Sequence, residues 1–165
     1  MKCFIGLPAD PSVVPFILEA QKKALELDAG ARPVPAENFH LTLAFIGEIQ
    51  REAALEAASL LPLTSDFTGR FWAIDRSGLF RRPQAAWVGG PDSPELKLLS
   101  RECREILDKL NVPYDRSAFK AHVTILRKSR LFDPVIEHSF LWPILRPRLF
   151  ESTLDAQGRR VYLPL

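Results

Sequence analysis

Apolar positions along the chain follow two periods, one typical of strands and the other typical of helices. Short apolar runs and alternating runs predict strands. These strands lie at 2–7, 39–45, 67–74, 84–90, 121–126, 137–142, 147–154 and 160–164. Runs with apolar residues three and four positions apart predict helices at about 10–27, 51–61 and 91–110. Strands and helices are therefore mixed throughout the chain.

The first and last of these helices carry the clearest signals. Asp10 followed by Pro11 is typical of an N-cap with proline at the first helical position, so we expect the first helix to extend from there to about Leu27. Its inward positions are Val13, Val14, Ile17, Leu18 and Leu25. The last helix has one apolar stripe, made of Leu96, Leu99, Cys103, Ile106, Leu107 and Leu110. Each stripe predicts a helix with one buried face.

Composition narrows the class of protein. The 165 residues are 47% hydrophobic and 25% charged, which is typical of one globular domain with a proper core. The two cysteines, Cys3 and Cys103, are far apart and form no CxxC pair, so neither a disulfide framework nor a zinc ribbon is expected. The N-terminus lacks the apolar region of a signal peptide, and no apolar run reaches membrane-spanning length. We expect a single domain, 1–165, in the reducing cytoplasm.

One short pattern occurs twice, as "HLTL" from His40 and as "HVTI" from His122, a shift of 82 residues. The same shift aligns Asp10 with Asp92 without a gap, so the two helix caps are expected to coincide. It also aligns apolar positions, namely Val14 with Leu96, Ile17 with Leu99, Leu25 with Leu107, Leu41 with Val123 and Leu43 with Ile125. A strand, a capped helix and a motif strand thus recur in the same order. The repeat predicts two lobes related by an approximate two-fold axis, with both motif strands at the cleft.

The motif has a chemical consequence, because residues i and i+2 of a strand project from the same face. His40 with Thr42, and His122 with Thr124, would each present an imidazole and a hydroxyl to the cleft. Two such pairs can surround a tetrahedral anion. A neutral imidazole can take a proton from the entering oxygen while an imidazolium gives one to the leaving oxygen, since the ordinary pKa of ~6.5 allows both forms near neutrality. The paired motif therefore predicts displacement at phosphorus without a metal or cofactor.

Other interpretations fit parts of this pattern. A lone histidine in an apolar strand is more often structural, and we interpret His138, which lacks the motif, as a surface or structural residue. A non-catalytic module that binds RNA ends would use the same cleft, but binding alone needs no matched pair of histidines. A metallohydrolase would be expected to show HExxH or clustered histidines and carboxylates, which neither motif supplies. Two histidines in register favour catalysis over these alternatives.

Positive charge is concentrated around the second motif. Five basic residues and no acidic residue lie between Arg116 and Arg130, within a chain whose formal net charge is only +2. Such a run is typical of an anion-binding patch, and equally of a solvated basic loop. We expect Lys120, Lys128 and Arg130 to contact backbone phosphates that flank the reacting one.

Three stretches, "RPVPAENFHLTLAFIGE", "FKAHVTILR" and "QGRRVYLPL", resemble the RNA 2′,3′-cyclic phosphodiesterase family, also called 2′-5′ RNA ligases, within the two-histidine phosphoesterases. The resemblance covers essentially the whole chain. It implies an α+β fold with two pseudo-symmetric lobes, each with an antiparallel sheet and helices, and an active-site groove between them. The implied activity is hydrolysis of a 2′,3′-cyclic phosphate, on an RNA end or a small nucleotide, to a 2′-phosphomonoester. We expect a cytoplasmic monomer without a metal or cofactor. The family name also implies a reverse reaction that joins RNA ends through a 2′-5′ linkage, and we expect hydrolysis to dominate over it.

The resemblance also implies individual roles. His40 would donate a proton to the departing 3′ oxygen, and His122 would be the base that activates water. Thr42 and Thr124 match the threonines that hold phosphate oxygens. Arg127 stands where the family often has an arginine near the anion.

Two local features qualify this assignment. Many family members have proline immediately before the second histidine, whereas this chain has Ala121. The chain order also predicts asymmetric surroundings for the two histidines. From it we expect Arg127 beside His122 and the apolar Phe45 beside His40.

Overall fold

The computed structural model describes residues 1–61, 69–130 and 136–165. Three α-helices lie in these ranges, namely α1 (Val14–Leu27), α2 (Arg51–Leu60) and α3 (Pro94–Lys109), together with a 3-10 helix at Ala36–Asn38. The described strands are β1 (Lys2–Pro8), β2 (Arg32–Pro33), β3 (His40–Glu48), β4 (Phe71–Ile74), β5 (Arg76–Phe80), β6 (Ala85–Gly89), β7 (Val123–Arg127), β8 (Phe140–Pro143), β9 (Arg148–Leu154) and β10 (Arg160–Pro164).

Eight strands form one antiparallel sheet in the order β10-β9-β1-β3-β7-β6-β5, with β2 also paired to β7. Strands β4 and β8 form a separate two-stranded sheet. The halves of the large sheet meet between β3 and β7, where Leu41 opposite Val123 is the registered pair. The expected α+β class is confirmed, and the sheets of the two halves join edge to edge at this pair.

The 82-residue repeat is visible in the fold. Shifted by that amount, α1 ends where α3 ends, and β1 and β3 fall on β6 and β7. Leu41 and Val123 are themselves equivalent under the shift, and they face each other across the strand pair. The approximate two-fold axis therefore passes through this pair.

The long helices cross between the halves. Helix α1 packs against β7, and α3 packs against β3. Leu41, Leu43, Val123 and Ile125 are all buried in the core that these helices cover. Each motif strand is thus backed by the helix of the opposite half, which chain order alone does not reveal.

The predicted coincidence of helix caps was wrong. Asp10 caps a turn ahead of α1 by accepting a 3.0 Å bond from the Ser12 amide, and Val13 occupies the cap position of the helix itself. Helix α3 is capped by Ser93, whose side chain accepts from the Leu96 amide at 3.2 Å. Proline within the first turn of α1 starts that helix without a side-chain cap, because proline needs no amide partner there.

Other expectations have mixed outcomes. Leu18 is 40% exposed, so the inward face of α1 is shifted towards Ile17, Ala20, Gln21 and Ala24. Strands β2 and β5 were not expected, and 67–68 of the predicted strand 67–74 lie outside the described residues. Both cysteines are buried free thiols.

Among the residues that the structure describes, the helices are too short or too polar to span a bilayer.

Candidate active site

The four motif residues gather around the strand pair that joins the halves. His40 begins β3, and His122 stands one residue before β7. Extending the antiparallel register of Leu41 and Val123 by one residue places His40 opposite Thr124 and His122 opposite Thr42. The four side chains therefore share the sheet face opposite the helices.

Main-chain carbonyls orient both imidazoles in the same way. Nδ1 of His40 lies 2.7 Å from the Asn38 carbonyl oxygen, and Nδ1 of His122 lies 2.6 Å from the Lys120 carbonyl oxygen. A carbonyl oxygen can only accept, so Nδ1 carries the proton in each ring and Nε2 of the neutral ring has a free lone pair. Thr42 Oγ1 donates to Nε2 of His40 at 3.0 Å in this state. The bonds from Nδ1, each to the carbonyl two residues earlier in the chain, thus fix the orientation of both rings and of their reactive Nε2 atoms.

Aromatic rings pack against each histidine. The His40 ring lies 4.6 Å from the Phe4 ring and 5.0 Å from the Tyr162 ring, centroid to centroid. The His122 ring meets the Phe80 ring edge-on at 4.7 Å. These rings take water away from the imidazoles, which disfavours the charged forms.

This packing changes the acidity of both histidines. Burial is the main cause that lowers the pKa of His40 to about 4, opposed by its bond to Asn38 and assisted by the charges of Arg127 and His122. Burial also lowers the pKa of His122, with a smaller contribution in the same direction from Lys120. In the free protein at neutral pH both imidazoles are therefore uncharged.

Arg127 lies near His40 and Phe45 lies near His122, which is the reverse of the expected arrangement. The charge of Arg127 acts on His40, whereas Phe45 lines a groove together with His122. The physical reason is that β3 and β7 are antiparallel, so the end of each strand reaches the beginning of the other. The expectation from chain order was wrong on this point.

The groove beside His122 has a volume of about 470 Å³. Its lining includes Thr42 from β3 and a set of aromatic and polar side chains, namely Phe45, Phe80, Phe119, Arg104, Asp115 and Lys120. This volume lies within the usual range of ~300–1,000 Å³ for small-molecule pockets. A nucleoside-sized group therefore fits next to His122.

The basic run is divided by β7. Lys120 lies in the groove lining, and its ammonium is 5.9 Å from the Phe80 ring centroid. Arg130 lies beyond the other end of β7, where its amide donates to Asp28 at 2.8 Å. The two ends of the run thus lie at opposite ends of β7.

Sequence reasoning missed several residues at the site. Phe80 lies on the unexpected strand β5, and Tyr162 lies on the last strand in the stretch "RRVYLPL". Phe4 is a buried residue whose ring also touches His40. Only distant pairing of strands brings these rings to the histidines.

Within the described ranges, no group of three or more histidine, cysteine, aspartate or glutamate side chains is arranged to hold a metal ion.

Comparison with known proteins gives consistent results. Residues 11–87 match the family described as LigT like Phosphoesterase. The chain is 31% identical over 137 residues to the RNA 2′,3′-cyclic phosphodiesterase of Escherichia coli K12, covering 81% of this chain and 77% of that protein. It is 29% identical over 169 residues to the protein of the same name from Thermotoga maritima, covering 96% and 90% respectively.

Structural similarity extends over the whole chain. The E. coli LigT structure complexed with 3′-AMP superposes with a TM-score of 0.79 at 26% identity, covering 99% of this chain and 94% of that chain. The complex of the same protein with ATP gives a TM-score of 0.78 at 27% identity, with the same coverage.

Proposed function

Because the chain belongs to the family of LigT-like phosphoesterases, and so is a phosphodiester hydrolase, we propose that it opens 2′,3′-cyclic phosphates on RNA ends or small nucleotides to 2′-phosphomonoesters. The observation that carries this proposal is the shared face of His40, Thr42, His122 and Thr124. Two imidazoles of the same tautomer lie there, each opposite the threonine of the other strand. All four groups come from one chain, so we expect a monomer to be active.

The histidines divide the proton transfers. Neutral His122 has a free Nε2 lone pair, because its Nδ1 proton is held by the Lys120 carbonyl, and it can take a proton from the attacking water. The water oxygen bonds to phosphorus as the bond from phosphorus to the 3′ oxygen breaks. His40 then gives its Nε2 proton to that oxygen. Exchange of one proton between the histidines through solvent restores the starting state.

His40 must gain a proton before it can donate one. Its pKa of about 4 keeps it neutral in the free protein, which by itself suits a base better than an acid. An anionic phosphate bound between the histidines raises the pKa of both rings. Protonation at Nε2 also releases the Thr42 hydroxyl, which can then turn to a phosphate oxygen. Substrate binding thus prepares both the acid and the anion contact.

The groove favours a second activity on the same site. Attack opposite the 3′ oxygen comes from the side of His122, where about 470 Å³ is lined with aromatic rings. A nucleoside with a free 5′-hydroxyl could replace water there and give a 2′-5′ linkage. Incubation of a cyclic mononucleotide with excess nucleoside should then yield a 2′-5′ dinucleotide besides the hydrolysis product, measured by chromatography.

The hydrolysis is tested by turnover of 2′,3′-cyclic AMP with excess chelator. His40→Ala and His122→Ala should each lower kcat by about 10²–10⁴-fold, the scale of a positioned acid or base. His138→Ala is the matched control and should retain activity, since this histidine lies by Phe16 and Lys23, away from both motifs. Binding without turnover would indicate a non-catalytic module, and loss of activity in chelator would indicate a metallohydrolase.

The product identifies which bond breaks. With His40 as the donor, phosphorus NMR should show a 2′-phosphate and no 3′-phosphate. A predominant 3′-phosphate would mean that the two histidines have the reverse roles.

A further inference from the structure

Each motif strand contains a β-bulge at the same place in the repeat. In β3, Thr42 is opposite Gly6 while Ala44 is opposite Ile5, so Leu43 is the extra residue. In β7, Thr124 is opposite Trp87 while Leu126 is opposite Ala86, so Ile125 is the extra residue. Leu43 and Ile125 are equivalent under the 82-residue shift, and each directly follows a motif threonine.

The bulges change which side chains face the site. An extra residue shifts the alternation of a strand by one position. Leu43 and Ala44 are therefore both buried, each 1% exposed. Ile125 and Leu126 are buried to the same degree. The next residue in each strand, Phe45 or Arg127, is exposed on the side of the motif residues, whereas strict alternation would direct it into the core.

A buried side chain bonds the carbonyl of each bulge residue. Ser100 Oγ, on α3, donates to the Leu43 carbonyl at 2.6 Å. Gln21 Nε2, on α1, donates at 2.8 Å to the Ile125 carbonyl and at 2.8 Å to the Val34 carbonyl. Ser100 is 1% exposed and Gln21 is 7% exposed. A buried polar group without a partner is costly, so these bonds resist displacement of the bulges.

The two donors are not copies of each other. Under the 82-residue shift, Gln21 aligns with Cys103 and Ser100 aligns with Leu18. Different residue types on different helix turns therefore reach equivalent carbonyls, each from the helix of the opposite half. The two bulge carbonyls are thus satisfied by independent side chains, so either bond can be removed without the other.

We propose that Ser100 and Gln21 are positioning residues that hold the paired bulges and thereby direct Thr42 with Phe45, and Thr124 with Arg127, into the active site. Their effect on turnover rests on the proposed function, whereas their effect on Arg127 can be measured without it. Neither side chain contacts the reacting atoms. Each acts through the strand that it bonds.

The first experiment compares two buried serines. Ser100→Ala removes the bond to the bulge in β3, and Ser129→Ala removes a bond of 2.9 Å to Asp28 from a side chain that is also 1% exposed. Both variants should lose similar stability in urea. We expect kcat for 2′,3′-cyclic AMP to fall by about 10–100-fold in Ser100→Ala, because a displacement near 1 Å costs on that order, and to stay near wild type in Ser129→Ala. Equal kcat in the two folded variants would overturn the proposal for Ser100.

The second experiment follows the imidazole of His40 by proton NMR. Arg127 lowers the pKa of His40 through its charge, so a bulge that no longer directs Arg127 to the site should let this pKa rise from about 4. We expect Gln21→Met and Arg127→Gln each to raise the pKa of His40. The double variant should show no further rise, because both changes remove one effect. His122, which also acts on His40, is unchanged in all three proteins.

The results of these experiments distinguish failure of the positioning role from failure of the proposed function. An unchanged His40 pKa in folded Gln21→Met, or additive rises in the double variant, would overturn the role of Gln21. If Gln21→Met does not fold, Gln21→Leu, which also removes both donated bonds and introduces no charge, replaces it. If the wild-type protein opens no cyclic phosphate, the proposed function fails, and the NMR result still decides whether Gln21 directs Arg127.

Discussion

The surroundings of His40 and its proposed role favour opposite protonation states of the imidazole. Its packing against Phe4 and Tyr162 excludes water and, with Arg127, keeps the ring neutral, whereas the proposed role of proton donor requires the charged ring. Binding of an anion reconciles the two demands, because the charge of the phosphate replaces the missing hydration. The site would then become competent only when substrate is present.

This coupling between substrate binding and protonation of the histidines predicts different pH optima for kcat/KM and for kcat. The value of kcat/KM reports the free protein, where the pKa values of His40 and His122 both lie below the ordinary ~6.5, so its bell-shaped profile should have a maximum below that pH. The value of kcat reports the complex, where the anion raises both pKa values, so its maximum should lie at higher pH. Initial rates between pH 4 and 9 would measure both curves, which describe the pair rather than either residue. Coincident maxima would contradict the coupling.

The same lowered pKa affects stability. A histidine that is harder to protonate when folded stabilises the protein above its unfolded pKa of ~6.5, and this contribution is lost as the pH falls towards the folded value of about 4. The free energy of unfolding in urea should therefore drop more between pH 7 and pH 4.5 in the wild type than in His40→Gln. If the free energy of unfolding changes equally with pH in the two proteins, the lowered pKa of His40 does not contribute to stability.

At the scale of elements, the antiparallel pairing of β3 with β7 decides which basic side chain lies near which histidine. It brings Arg127 to His40 and leaves Lys120 at the groove beside His122. The length of β7 separates Lys120 from Arg130, whose amide donates to Asp28 past the far end of the strand. Lys120 and Arg130 therefore stand at opposite ends of β7.

This separation predicts unequal roles in RNA binding. Lys120→Ala should lower the salt slope for binding an oligonucleotide with a terminal cyclic phosphate by about one, the loss of one phosphate contact. Arg130→Ala, an equal loss of charge at the far end of β7, should leave the slope nearly unchanged. Affinity measured by fluorescence anisotropy over a series of salt concentrations gives both slopes. Equal reductions would mean that net charge, rather than position, controls binding.

At the scale of the whole molecule, the two halves are interlocked. The sheet runs through Leu41 and Val123, and each motif strand is covered by the helix of the other half. We propose that 1–165 is one domain, because neither half can bury its motif strand alone. Urea unfolding should then give one transition, with fluorescence and circular dichroism curves that coincide. Two separated transitions would show that the halves fold independently.

The sequence by itself determined the local features. Alternation predicted β3, and helical spacing predicted α3, because these patterns depend only on the burial of one face. The repeated His-x-Thr and its 82-residue shift predicted that His40 and His122 would share a site, since equivalent strands around a two-fold axis must approach it together.

The tertiary structure alone decided the surroundings of the histidines. The antiparallel pairing of β3 with β7 exchanged the positions expected for Arg127 and Phe45, because it depends on contacts far apart in the chain. The bulges at Leu43 and Ile125 set which later side chains face the site, and they depend on register with β1 and β6. Register arises from packing between distant strands, so a pattern along one strand predicts its buried face but not the neighbours that direct its chemistry.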